Sequence, residues 1–192
     1  MIGTDGTRTT GGGVLRTIVS EVAHSVDRID DAQVSEALDL LRPGRSIHFA
    51  GAGRSGLVGR MAAMRLMHLG RTTHVVGDPT SPALREGDLL VAISGSGATE
   101  SIVRIAAKAA RLGAEVLAVT CAPESPLGAT ATRVLVIPAA TKTDHTATTS
   151  IQYSGALFEQ CLLVVTDGLF DRLWRESGQP AEELWTRHAN LE

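Results

Sequence analysis

Aromatic residues are scarce in this 192-residue chain: two Trp, one Tyr and three Phe make 3% of it. A β-sandwich leans on aromatic side chains, whereas 43% hydrophobic content with so few rings describes an Ala/Val/Leu-packed α/β protein. Cysteine is nearly absent too. Cys121 and Cys161 stand alone within apolar runs, which excludes a disulfide framework or a cysteine metal site and fits reduced core residues. No apolar run approaches the roughly 18 residues of a membrane span, and the N-terminus has no signal-peptide h-region. A soluble, cytoplasmic chain with no membrane partner is therefore expected. A charge bias is also missing. Lys+Arg 18 against Asp+Glu 21 leaves a net −3 with no basic stripe, which argues against nucleic acid.

What is present is alternation. Residues 1–13 are rich in Gly and Thr with little to bury, so a flexible tail is expected, followed by a single domain over 14–192. From Val14 the apolar spacing is helical, with Leu15, Ile18, Val22, Val26 and Ile29 on one face. Asp31 can cap a second helix, which Pro43-Gly44 stops. Strands are expected over 47–50, 73–76, 89–93, 116–120 and 134–137. Helices are expected over 57–69, 100–112, 154–174 and 181–188, with a loop over 138–149. Strands alternating with helices predict a five-stranded parallel sheet flanked by helices, a flavodoxin-like three-layer sandwich.

Two strand–turn–helix junctions carry the chemistry. In LLVAISGSGAT (89–99) a buried strand breaks into Ser94-Gly95-Ser96-Gly97 before a helix that opens at Thr99-Glu100. Free N–H groups at a helix N-terminus, its positive dipole end and the hydroxyls of Ser94, Ser96 and Thr99 suit a phosphate monoester. An ordinary capped βα turn would need one hydroxyl and at most one glycine. The other junction, GAGRSG (51–56), has the form of a dinucleotide fingerprint, with Asp78 as a ribose acid downstream. Arg54 and Ser55 are polar where that turn favours small residues, and Asp78 follows Gly77 in a Pro-rich loop. A sugar-phosphate wall with Arg54 and Ser55 as donors, or a glycine packing turn, are the other readings. Glu159 has Gly155, Ala156, Leu162 and Leu163 as its helical neighbours, an apolar stripe where a carboxylate is costly unless it has a task. Desolvation there would push it toward neutrality and suit a general base. His24, His48, His68, His74, His145 and His188 nowhere pair at metal-ligand spacing, so no metal site is expected.

The blocks GAGRSGLVGRMAAMRLMHLG (51–70), AISGSGATES (92–101), GALFEQCLL (155–163) and the ending RHANLE (187–192) resemble the sugar isomerase (SIS) domain, and within it the 6-phospho-3-hexuloisomerases. The resemblance runs from Val14 onward. It implies reversible conversion of D-arabino-hex-3-ulose 6-phosphate to fructose 6-phosphate through a cis-enediol, without metal, nicotinamide or flavin. It further implies a homotetramer working beside hexulose-phosphate synthase in formaldehyde assimilation. By the same resemblance Ser94, Gly95, Ser96, Gly97, Ala98 and Thr99 hold the phosphate, and Gly51 lies in the substrate-binding turn. Glu159 matches the proton acceptor. His188 or Arg54 would handle the protons on oxygen, His188 from either its own or a neighbouring subunit. Tyr153-Ser154 stands where a Pro-Met pair is usual before the glycine. A phosphosugar-sensing regulator without catalysis, or an isomerase of another sugar phosphate, are the rival readings.

Overall fold

The computed structural model describes residues 11–139, 150–153 and 155–191. Two helices, α1 (Gly11–Val26) and α2 (Asp31–Leu41), lead into β1 (Ile47–Gly51), α3 (Gly53–His68), β2 (Thr73–Val75) and β3 (Leu89–Ile93). Then come α4 (Glu100–Arg111), β4 (Glu115–Thr120), a short 3-10 turn, β5 (Arg133–Val136), α5 (Ala156–Ser177) and α6 (Ala181–Trp185). All strand pairings are parallel and the order is β2-β1-β3-β4-β5. The expected five-stranded parallel sheet and flavodoxin-like order are both present.

The sheet splits the core into two because successive residues of a strand face opposite sides. Ile47, Phe49, Val91, Ile93, Leu117 and Val119 join α2, α3 and α5 in the larger cluster. Ala50, Ala92 and Ala118 face the other way and meet Ile102, Ala106 and Ala109 of α4. Those alanines let α4 approach the sheet closely, so a core with few rings still fills its volume. Cys161 lies buried and Cys121 partly buried, both unpaired, and burial pushes the Cys121 thiol up to about 12. Neither is a nucleophile at neutral pH.

Three expectations need correction. The chain is helical from Gly11, so Gly11–Gly13 belong to α1 rather than to a tail; residues 1–10 lie outside the described residues. Leu15 does not share the buried face: Val14, Leu15 and Val19 are exposed, and Val22, Val26 and Ile29 cover the core. The residues Gly53 to Gly56 are not a free turn but the first turn of α3, which starts four residues earlier than the apolar periodicity suggests. Gly53 enters the helix at φ +58, a conformation that glycine adopts without strain. Most of the expected 138–149 loop, and Ser154 at the expected start of α5, also lie outside the described residues.

His48 on β1 is 2% exposed, its ring 4.9 Å from that of His74 on β2 and its Nε2 3.8 Å from Asp88. Burial and the neighbouring His74 push its pKa down, with Asp88 opposing them. Because the folded value is the lower one, the unfolded chain takes up the proton first as pH falls below about 6.5. Stability should therefore drop on acidification through that range. Thermal unfolding between about pH 5 and 7 should give a shallower pH slope for His48→Leu than for the wild type. Equal slopes would mean that His48 is not a source of the acid sensitivity.

Candidate active site

In the order β2-β1-β3-β4-β5 the chain winds one way from β1 and the other way from β3, and a crevice opens beyond the carboxyl ends of these two strands. Both glycine-bearing junctions lie there. After β1, Gly51 and Gly56 are packed backbone to backbone: a Cβ on Gly56 would stand 2.5 Å from the Gly51 carbonyl oxygen. These two glycines of the G-x-G-x-x-G pattern are thus explained by close strand–helix contact, and the pattern needs no dinucleotide. The contact sets Arg54 on the first turn of α3, at the mouth of the crevice. Ser55, expected as a donor to substrate, is 3% exposed.

After β3, the Ser94–Thr99 turn is braced from β4 and the loop after it. Cys121 N donates to the Gly95 carbonyl at 3.0 Å and Leu127 N to that of Gly97 at 3.0 Å. The Thr120 hydroxyl donates to the Gly95 carbonyl at 3.2 Å. Gly97 has φ +62, and a Cβ on it would fall 1.8 Å from Ser125 Oγ. Ser94 Oγ and Thr99 Oγ1 share a hydrogen bond of 2.9 Å, while Ser96 Oγ accepts from Ala98 N at 3.3 Å. Thr99 is the N-cap of α4 but makes no side-chain cap bond. The turn is held rigid from outside, and the first-turn N–H groups of α4 keep the positive end of the helix available to an anion.

Glu159 reaches the same crevice from the first turn of α5. It is 4% exposed, and Arg54 Nε donates to its Oε2 at 2.5 Å. The residue before it, Phe158, covers Gly95: a Cβ there would meet the ring at 3.1 Å. One element thus carries both the carboxylate and the wall that seats the Gly/Ser turn. The Arg54 side chain stays two-thirds exposed, so its guanidinium links the buried carboxylate to the open side. The approach to α5 is strapped to α1. Glu21 accepts from Ser150 Oγ at 2.7 Å, Ile151 N at 2.8 Å and Gln152 Nε2 at 2.9 Å. Burial alone would raise the Glu21 pKa, but these three donors outweigh it and hold the carboxyl below its ordinary value.

His188 is not brought to Glu159 within one chain. Its ring stacks at 3.9 Å on His68, the last residue of α3, and at 4.5 Å on Trp185. Arg54 and His68 occupy opposite ends of α3, roughly 20 Å apart at the helical rise per residue. Among the described residues, no group of three or more His, Cys, Asp or Glu is placed to hold a metal ion. The Glu159–Arg54 pair spans 105 residues and has no local sequence signal. Nor do the braces from Thr120 and Leu127.

A family model for the SIS domain matches residues 40–164, which include both junctions and Glu159. The chain belongs to the SIS domain family. Within it, 53% of 179 residues are identical to the 3-hexulose-6-phosphate isomerase of Mycobacterium gastri, covering 93% of this chain and 89% of that protein. The enzyme of the same name from Bacillus subtilis is 40% identical over 176 residues, 91% of this chain and 95% of that one. A crystal structure from Methanococcus jannaschii, from which a 3-hexulose-6-phosphate isomerase function was inferred, superposes with a TM-score of 0.80. It is 27% identical and covers 93% of this chain and 99% of that one.

Gly97→Ala should disable the SIS turn. The new methyl collides with Ser125, and the left-handed backbone alone costs about 1–2 kcal/mol. Adding Ser125→Gly should restore part of the stability lost, read by thermal unfolding, because it removes the collision and leaves the backbone strain. No recovery in the double variant would mean that the collision is not the source of the loss.

Proposed function

We propose that this chain interconverts D-arabino-hex-3-ulose 6-phosphate and fructose 6-phosphate. The observation that carries the reading is the buried Glu159 carboxylate, paired with Arg54 and seated through Phe158 against the Gly/Ser turn. The 53% identity to the Mycobacterium gastri isomerase supports the choice of sugar. In this reading the phosphate lies on Ser94, Gly95, Ser96, Gly97, Ala98 and Thr99, and the sugar chain runs past Gly51 toward Glu159. The carboxylate removes the proton from C2 of the hex-3-ulose. The C3 carbonyl oxygen gains a proton, and a cis-enediol with a C2–C3 double bond results. The O2 hydroxyl then gives up its proton as the C2 carbonyl forms, and Glu159 returns a proton to C3. Carbon and oxygen each exchange one proton, so no electron acceptor is consumed. Arg54 stabilises negative charge building on O2 and O3.

The protein would act in the cytoplasm as a homotetramer, beside hexulose-phosphate synthase in formaldehyde assimilation. Assembly is supported by exposed apolar side chains on α1 (Val14, Leu15, Val19) and α3 (Leu57, Met61, Met64, Met67). His188, stacked far from Glu159 of its own chain, would serve a neighbouring copy's site if it serves any. The rival is a sensor that binds the phosphosugar without turning it over.

Purified protein assayed for isomerisation without added metal or cofactor should turn over. Glu159→Gln should lower kcat by at least about a thousandfold while fructose 6-phosphate still binds. Activity retained in that variant would move the base elsewhere. Binding without turnover in the wild type would favour the sensor.

A further inference from the structure

At the amino ends of β1 and β2, away from the crevice, lies an open cleft of about 370 Å³ lined by Gly44, Arg45, Ser46, Gly70, Arg71 and Asp88 among others. Arg45 Nη1 and Arg71 Nε are both shut off from solvent, and neither has a hydrogen-bond partner. Among the described residues neither arginine makes an ion pair, whereas Arg42, Arg54, Arg60 and Arg187 each meet a carboxylate. Asp88 does not fill that role. Its Oδ1 accepts from Ser46 N at 3.3 Å, its Oδ2 accepts from Arg85 N at 2.7 Å, and the same carboxylate faces His48. Both arginines are half-buried and line the cleft, each holds one buried N–H without an acceptor, and their planar forks match an oxyanion. Burial also pulls the Arg71 pKa below its ordinary value, the direction expected of a cation lacking a counter-charge.

We propose that this cleft is a second anion site, which takes a small phosphate-bearing ligand between Arg45 and Arg71. The five-residue β1 separates it from the crevice by roughly 16 Å, so its occupant is not an extension of a substrate bound there. Arg45 precedes β1 by two residues, and Arg71 follows the α3 cap, where its N–H bonds back to the Leu66 carbonyl at 2.9 Å. Both cations therefore hang from short segments next to ordered elements.

The test is a titration of the full-length, 15N-labelled protein with inorganic phosphate, followed at the Gly44 and Gly70 amides and at the Gly95 and Gly97 amides. The expected result is saturable shifts at Gly44 and Gly70, with the apparent Kd raised about tenfold or more by Arg45→Gln or Arg71→Gln. The Gly95 and Gly97 response should be unchanged in both variants. Each single variant reads the site separately, so one that fails to fold leaves the other as the test. Still Gly44 and Gly70 amides in the wild type would overturn the proposal. So would shifts that both variants keep, or shifts that follow protein concentration instead of phosphate, which would give the arginines to a carboxylate of a second copy. Silence at Gly95 and Gly97 alone would count against the phosphate cradle of the proposed function and leave this site standing.

Discussion

A carboxylate 4% exposed on an apolar helix face is tolerable only beside a positive charge, and Arg54 brings that charge. The requirement ties together parts of the chain that are far apart in sequence. Arg54 must stand on the first turn of α3, which depends on the backbone contact of Gly51 with Gly56. Glu159 must stand on the first turn of α5, where Gly155 caps the helix at φ +84 and the segment before it is strapped to Glu21. The packing of α3 against α5 across their shared apolar cluster then closes the pair. Ion pair, glycine contact and helix packing each presuppose the others.

Placement at the β1/β3 crevice follows from topology. A parallel sheet that winds in both directions leaves a gap beyond the strands at which it reverses, and turns after those strands face each other across it. That geometry explains why two unrelated-looking segments, one with GAGRSG and one with SGSG, bound a single site. It also explains why His188 is absent from that site in its own chain. The terminal segment folds back on the far end of α3, where Arg187 donates to the His68 carbonyl and His188 stacks on the ring.

The architecture was readable because local signals agreed with one another. Short apolar runs, glycine stops and helical spacing marked all five strands and located α2, α4 and α5 to within a few residues. The errors came where local pattern and tertiary contact diverge. Leu15 has perfect helical spacing with Val22 and Val26, yet among the described residues nothing covers it. Gly53 to Gly56 look like a loop, and only packing against Gly51 makes them helical. At the site, Glu159 was legible as a carboxylate out of place, and the hydroxyl-rich turn as an anion cradle. Its partner was not, since no periodicity links positions 54 and 159. Ser55, beside Arg54 in sequence, is buried at 3% exposure in the first turn of α3, a burial that its polar character did not signal.

Helix α3 is one uninterrupted rod of 16 residues. Its first turn holds the arginine that neutralises Glu159, its outer side carries Leu57, Met61, Met64 and Met67, and its last residue is clasped by the chain's end. Thioether side chains are pliable and repack against whatever surface they meet. A helix with a charge at one tip and a soft flank along its length behaves as a lever. A small tilt imposed on the flank would change how tightly the guanidinium grips the carboxylate.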